Sequence, residues 1–187
     1  TLDRSSAASD VYKRQTYFSP LADTSLPDAG FVYFPGGYPE LYLAALSANR
    51  QMLQSIRRYV ESGGKLLAEC GGMMYLCDEI RDKNGDVYPM AGVLHQSATM
   101  ENMKLRLGYR TLLYNETRLK GHEFHYSRLV EQQNPLPSCA VAYTAKGVET
   151  DTPLYHYKNV WAGYTHLYWA DPVGNEWFTK FVIDGNT

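Results

Sequence analysis

The stretch Lys65-Leu66-Leu67-Ala68-Glu69-Cys70-Gly71-Gly72-Met73-Met74-Tyr75-Leu76-Cys77 decides the fold. Residues 65–68 read as a short buried strand. Past Glu69-Cys70-Gly71-Gly72, the residues Met73, Met74, Leu76 and Cys77 continue in a helical pattern. A strand that turns directly into a helix around a reactive side chain needs small residues two positions before and after it, because the tight turn brings those backbones together. Ala68 and Gly72 meet that need around Cys70. Such a turn holds the sulfur near the helix N-terminus, where unpaired N–H groups and the helix dipole favour a thiolate. The same pentapeptide also fits a small buried cysteine beside glycines that merely permit a turn.

Upstream, Phe31-Val32-Tyr33-Phe34 has the aromatic and β-branched character of a strand, and Pro35-Gly36-Gly37 ends it. Residues 40–62 follow a 3.6-residue period. Leu43, Leu46, Met52 or Leu53, Ile56 and Val60 share one face, and Gly63-Gly64 stops the helix. The order strand, helix, strand, helix predicts an α/β fold with a parallel sheet. Downstream of the turn-rich residues 82–86, residues 91–94, 105–114, 123–126, 139–143 and 160–164 read as extended. Their Tyr-rich alternation predicts an antiparallel excursion from the parallel core. Residues 175–183 carry Trp177, Phe178, Phe181 and Val182 at helical spacing and are expected to dock on the sheet. Residues 1–15 read as a tail that belongs poorly to the fold, leaving residues 16–187 as one domain.

The whole chain of 187 residues is long enough for a buried core, and its 44% hydrophobic and 20% charged residues are those of a globular protein. Eighteen basic and 20 acidic residues give a formal charge of -2. That balance argues against nucleic acid or an anionic membrane surface as partner, since both call for a basic excess. Cys70, Cys77 and Cys139 are an odd set without CxxC spacing, which favours a reducing compartment over a disulfide framework or structural zinc. No run approaches the roughly 18 apolar residues of a membrane-spanning helix, and the first residues lack the apolar core of a secretory signal. A soluble, cytoplasmic domain is the expectation.

Two further segments look chemical. In Phe34-Pro35-Gly36-Gly37-Tyr38-Pro39-Glu40, a double glycine after a strand can turn a backbone N–H toward a pocket at the carboxyl edge of the sheet. Gly37 and Gly71 are the natural pair of donors for a developing oxyanion, although the segment alone also fits a plain strand-ending turn. In Gly163-Tyr164-Thr165-His166-Leu167-Tyr168-Trp169, a histidine just past a strand can serve a cysteine nucleophile as general base. His95, His122, His125 and His156 compete for that role, and composition does not choose among them. His122 and His125 in Gly121-His122-Glu123-Phe124-His125-Tyr126 superficially suggest a metal site. The spacing is not HExxH, however, and a strand turns the two rings to opposite faces.

Taken together, FPGGYPE, AECGGMMYL, LGYR, GHEFHYS and YTHLYW resemble, in this order, the glutaminase domain of the cobyrinic acid a,c-diamide synthase family, a cobalamin-pathway branch of the class I glutamine amidotransferases. The likeness runs from about residue 16 to residue 183. It implies a class I amidotransferase-like three-layer sandwich: a mostly parallel central sheet, helices on both faces and the antiparallel excursion. It further implies Cys70 as nucleophile, His166 as catalytic histidine, and an oxyanion hole from the Gly37 and Gly71 amides. Glutamine is the implied substrate, with Glu40 as a candidate to hold its amino group.

Many class I amidotransferases orient the histidine with a glutamate two residues later. Here that position is Tyr168, which leaves a Cys-His dyad and makes Glu69 and Glu123 the candidates for a third member. The family's full enzyme carries an N-terminal ATP-dependent amidoligase half. This sequence has no GxxxxGK[ST] run. ATP and Mg2+, and the cobyrinic acid they serve, are therefore expected in that other half, with no cofactor or metal in this one. Ammonia must pass between the halves away from bulk water. The Tyr-rich segments and residues 121–127 are the expected contact face, given 16 tyrosines. The same fold could instead serve another tetrapyrrole (nickel-sirohydrochlorin or cobyric acid), act as a silent interaction module, or be a free cysteine hydrolase.

Overall fold

The computed structural model describes residues 15–184, so the expected tail lies almost wholly outside the described residues. The first half runs β1 (Phe31–Phe34), a 3-10 turn at Pro39–Leu41, α1 (Leu43–Ala48), α2 (Arg50–Glu61), β2 (Lys65–Glu69) and α3 (Gly71–Leu76). The second half is mostly strand: β3 (Glu79–Arg81), β4 (Val87–Pro89), β5 (Ser97–Thr99), β6 (Arg106–Tyr114), β7 (Thr117–His125) and β8 (Arg128–Leu129). It continues with β9 (Val141–Thr144), β10 (Glu149–Thr150), β11 (Leu154–Tyr157), β12 (Val160–Gly163) and β13 (His166–Leu167). Helix α4 (Pro172–Thr179), running into a π-helical turn at Lys180–Asp184, ends the described residues.

The central sheet has the order β1-β2-β12-β11, with β1, β2 and β12 parallel and β11 antiparallel. Alternation along these strands builds two cores. Val32, Phe34, Leu66, Ala68, Val160 and Ala162 face α1, α2 and α3. Phe31, Tyr33, Leu67 and Trp161 face the other way, against α4 and the five-stranded antiparallel sheet β10-β9-β6-β7-β13. Trp161 is fully buried between Tyr114, Trp177 and Phe181, and its loss would cost about 3–5 kcal/mol. The expected α/β sandwich is thus present, with the antiparallel excursion as a full sheet over one face. A third, small sheet, β4-β3-β5-β8, flanks α3.

Two expected elements differ. The helix read over residues 40–62 is broken at Asn49, which caps α2 by accepting the Met52 N–H and donates to the Pro20 and Asp23 carbonyls. An Asn side chain that satisfies three backbone groups at a cap competes with continued helix. Residues 91–94 are not a strand. Their N–H groups bond to the Tyr75, Cys77 and Leu76 carbonyls, which the end of α3 leaves open, so apolar side chains are buried by a capping loop. The turn-rich residues 82–86 close the β3–β4 hairpin, with the Asp82 carboxylate accepting the Asn84 and Asp86 N–H groups.

Candidate active site

Cys70 occupies the corner between β2 and α3 at φ +49° and ψ −113°, a region that L-residues adopt only under strain. Its N–H donates to the Gly163 carbonyl at 2.8 Å, extending the β2–β12 ladder by one rung, and its carbonyl accepts the first helical bond from Met74. The close packing that the motif demands is present at Gly72, where a Cβ would lie 2.6 Å from both Cβ and O of Phe34.

The same rung brings His166 to the sulfur. β12 ends at Gly163, opposite Glu69, and the chain then enters β13, which pairs with β7. His166 therefore begins a strand of the second sheet while its half-buried ring lies at the edge of the first, beside Cys70 against Gly36. Its Nδ1 stands 3.4 Å from Glu69 Oε2, an ion-pair distance rather than a tight hydrogen bond. Nε2 is the ring nitrogen that this carboxylate leaves open. Bonding to Cys70 first, and then to Glu69, raises the His166 pKa to about 10.

Of the two carboxylates expected as a third member, Glu69 is the one that stands at the ring. It is 3% exposed, yet each oxygen has a partner: Oε1 accepts the Leu167 N–H at 3.0 Å and Oε2 the Tyr33 hydroxyl at 2.7 Å. Burial, then the neighbouring Glu69 charge, pushes the Tyr33 phenol well up, so it remains a donor. The other candidate, Glu123, is engaged elsewhere: by His125 Nε2 at 2.7 Å, by the Thr152 hydroxyl and by Arg110. His125 is buried, bonded also to the Ser127 carbonyl and stacked on Tyr164, whereas His122 meets the ring of Tyr109. Among the described residues no group of three His, Cys, Asp or Glu is placed to hold a metal.

A small cleft opens over the sulfur, lined by Gly37, Glu40, Phe124, His125 and Ser127. The Phe124 carbonyl lies 3.7 Å from Cys70 Sγ. Gly37 and Gly71 are in direct contact: a Cβ on Gly71 would run into the Gly37 carbonyl and lie 2.7 Å from Pro39 Cδ. Gly71 is the first residue of α3, so its N–H has no partner within the helix. Glu40 sits on the 3-10 turn, pairs with no cation among the described residues, and has its pKa raised by burial. The structure thus brings Cys70, His166, Gly37, Gly71 and Glu40 to one place. The other two thiols are poor nucleophiles: burial pushes Cys139 up to about 11 and Cys77 higher still.

The likenesses agree in direction. Residues 10–173 match the model of the CobB/CobQ-like glutamine amidotransferase domain. A hydrogenobyrinate a,c-diamide synthase of Pseudomonas aeruginosa is 38% identical over 157 residues, covering 81% of this chain and 34% of that protein. A cobyrinate a,c-diamide synthase of Salmonella typhimurium is 35% identical over 161 residues, covering 82% of this chain and 35% of that protein. The chain spans about a third of the length of these relatives. The solved structure of PurLQS from Thermotoga maritima aligns with a TM-score of 0.51 at 17% identity over 78% of this chain and 72% of that one, a likeness of fold. No helix among the described residues is long and apolar enough to cross a membrane.

Proposed function

The chain belongs to the CobB/CobQ-like glutamine amidotransferase domain family, and on that footing we propose that Cys70 and His166 hydrolyse glutamine to supply ammonia for amidation of the a and c carboxylates of cobyrinic or hydrogenobyrinic acid. The observation that carries the reading is the strained Cys70 elbow with the His166 ring beside it against Gly36, at the mouth of a cleft walled by Gly37 and Glu40. The sulfur attacks the side-chain amide carbon, forming the C–S bond and an oxyanion. The Gly37 and Gly71 N–H groups stabilise that charge, each worth roughly 10²- to 10³-fold in rate. His166 takes the thiol proton and delivers it to the amide nitrogen as the C–N bond breaks. Ammonia departs, and His166 then draws a proton from water, whose oxygen attacks the thioester and releases glutamate. The Glu40 carboxylate, paired with no cation among the described residues, receives the substrate ammonium.

Activation of the carboxylates falls to the part of the relatives that this chain does not span. The residues present offer no phosphate-binding loop, so ATP and Mg2+ are assigned to that part and no step here runs through them. Its contact face is the outer side of the β6–β7 hairpin. There Leu107, Tyr109, Phe124 and Tyr126 are exposed in a continuous apolar strip, and Phe124 and Tyr126 also rim the cleft. Ammonia leaving beside that strip is shielded from protonation by bulk water.

The test is glutamate release from glutamine, and covalent labelling by an electrophilic glutamine analogue, in wild type and Cys70→Ala. Adduct on Cys70 alone, lost in the variant, is expected. Adduct on Cys77 or Cys139 overturns the assignment.

A further inference from the structure

Glu69 immediately precedes the cysteine, and its side chain is buried where a carboxylate is costly unless it is engaged. Two donors hold it from different elements, the Leu167 amide of β13 and the Tyr33 hydroxyl of β1, and both bonds are of good length. The Leu167 amide follows His166 in the chain, so the bond that anchors Glu69 Oε1 also fixes the backbone from which the His166 ring projects. Oε2, steadied by Tyr33, is then left 3.4 Å from Nδ1 of that ring. In the amidotransferases that carry a glutamate two residues past the histidine, that residue orients the ring. Here the position is Tyr168, 60% exposed.

We propose that Glu69 is the positioning residue of His166, holding Nδ1 protonated and Nε2 toward the Cys70 sulfur, so that nucleophile and orienting acid are consecutive residues. This deepens the reading above and rests on it. An acceptor at Nδ1 keeps the proton on that nitrogen and stabilises the imidazolium that forms when Nε2 takes the thiol proton. Among the described residues three titratable groups face the ring: Glu69 from β2, Cys70 from the elbow, and His122, directly opposite His166 in the β7–β13 register. Glu123, whose carboxylate is spent on His125, Arg110 and Thr152, does not take this role.

The experiment compares wild type, Glu69→Gln, Glu69→Asp and Tyr33→Phe, read by the NMR titration of His166 and by the pH profile of Cys70 alkylation. Glu69→Gln should move the His166 midpoint down and slow alkylation near neutral pH. Its glutaminase kcat should fall roughly 10²-fold with KM unchanged. Glu69→Asp should restore part of the midpoint. Tyr33→Phe removes the same oxygen's other partner but keeps the carboxylate, so it should leave the midpoint raised. If Glu69→Gln and Tyr33→Phe lower stability alike and neither moves the His166 midpoint, Glu69 is structural and the proposal falls. Should Glu69→Gln not fold, the comparison of Glu69→Asp with Tyr33→Phe decides in the same way. If the glutamine analogue fails to label Cys70 in wild type while the midpoint follows Glu69, the proposed reaction fails and the positioning stands.

Discussion

Gly36 stands against the ring of His166: a Cβ there would lie 2.8 Å from Cε1 and 3.6 Å from Cys70 Cβ. The ring is thus wedged between the glycine turn after β1 and the elbow after β2. Gly36 also has φ +114°, where any side chain is strained. Gly36→Ala should therefore displace the imidazole as well as destabilise the fold, the latter by about 1–3 kcal/mol. Calorimetry should register the lowered melting temperature. Alkylation of Cys70 should slow more than the fall in stability explains.

Strain at Cys70 makes a second prediction. Cys70→Gly and Cys70→Ala both remove the sulfur, but only glycine accepts φ +49° freely. The glycine variant should be more stable than the alanine variant by about 1 kcal/mol, measured by urea unfolding, with both inert toward glutamine analogues. Equal stabilities would mean that the elbow stores no strain.

The His166 equilibrium fixes how stability follows pH. The ring is raised to about 10 in the folded protein, against about 6.5 for an unperturbed histidine. Between these values the folded chain binds more protons than the unfolded one. The ring's contribution is therefore complete below about pH 6.5 and is lost as pH climbs toward 10. Because the ring is half-buried, solvent screens part of the effect. The stability gap between wild type and His166→Asn should narrow from pH 6 to pH 10 in denaturant titrations. A gap constant with pH counts against the charge assignment.

Glu40 should behave in the opposite sense. Burial raises its pKa, so its ionised form weighs against the fold at neutral pH. Glu40→Gln should leave the melting temperature unchanged or slightly higher. Losing a charge-assisted contact to the substrate ammonium should raise the glutamine KM about tenfold or more, with little change in kcat. A kcat effect with unchanged KM would remove Glu40 from the binding role.

The parts of this architecture that depend on neighbours in the chain were legible from residue order. Ala68 to Gly72 announce the elbow because its sterics are local, and the alternating strand residues announce the two-faced sheet. What escaped depends on contacts across the chain. Asn49 breaks a helix through carbonyls near residue 20, and residues 91–94 look like a strand until the open carbonyls of α3 are known. Glu69 and Glu123 could not be separated as partners of His166, because only the register of β2, β12 and β13 decides which carboxylate arrives there.

That register has a consequence for how the chain tolerates change in length. In β2 the even positions Leu66 and Ala68 feed the helical side, whereas the odd ones, Leu67 and then Glu69, point toward the aromatic side. Adding or removing one residue before Cys70 would send leucines and carboxylate to the wrong sides together and strand the acid among α1, α2 and α3. Insertions and deletions here can survive only in pairs, a parity rule imposed by the pleat itself.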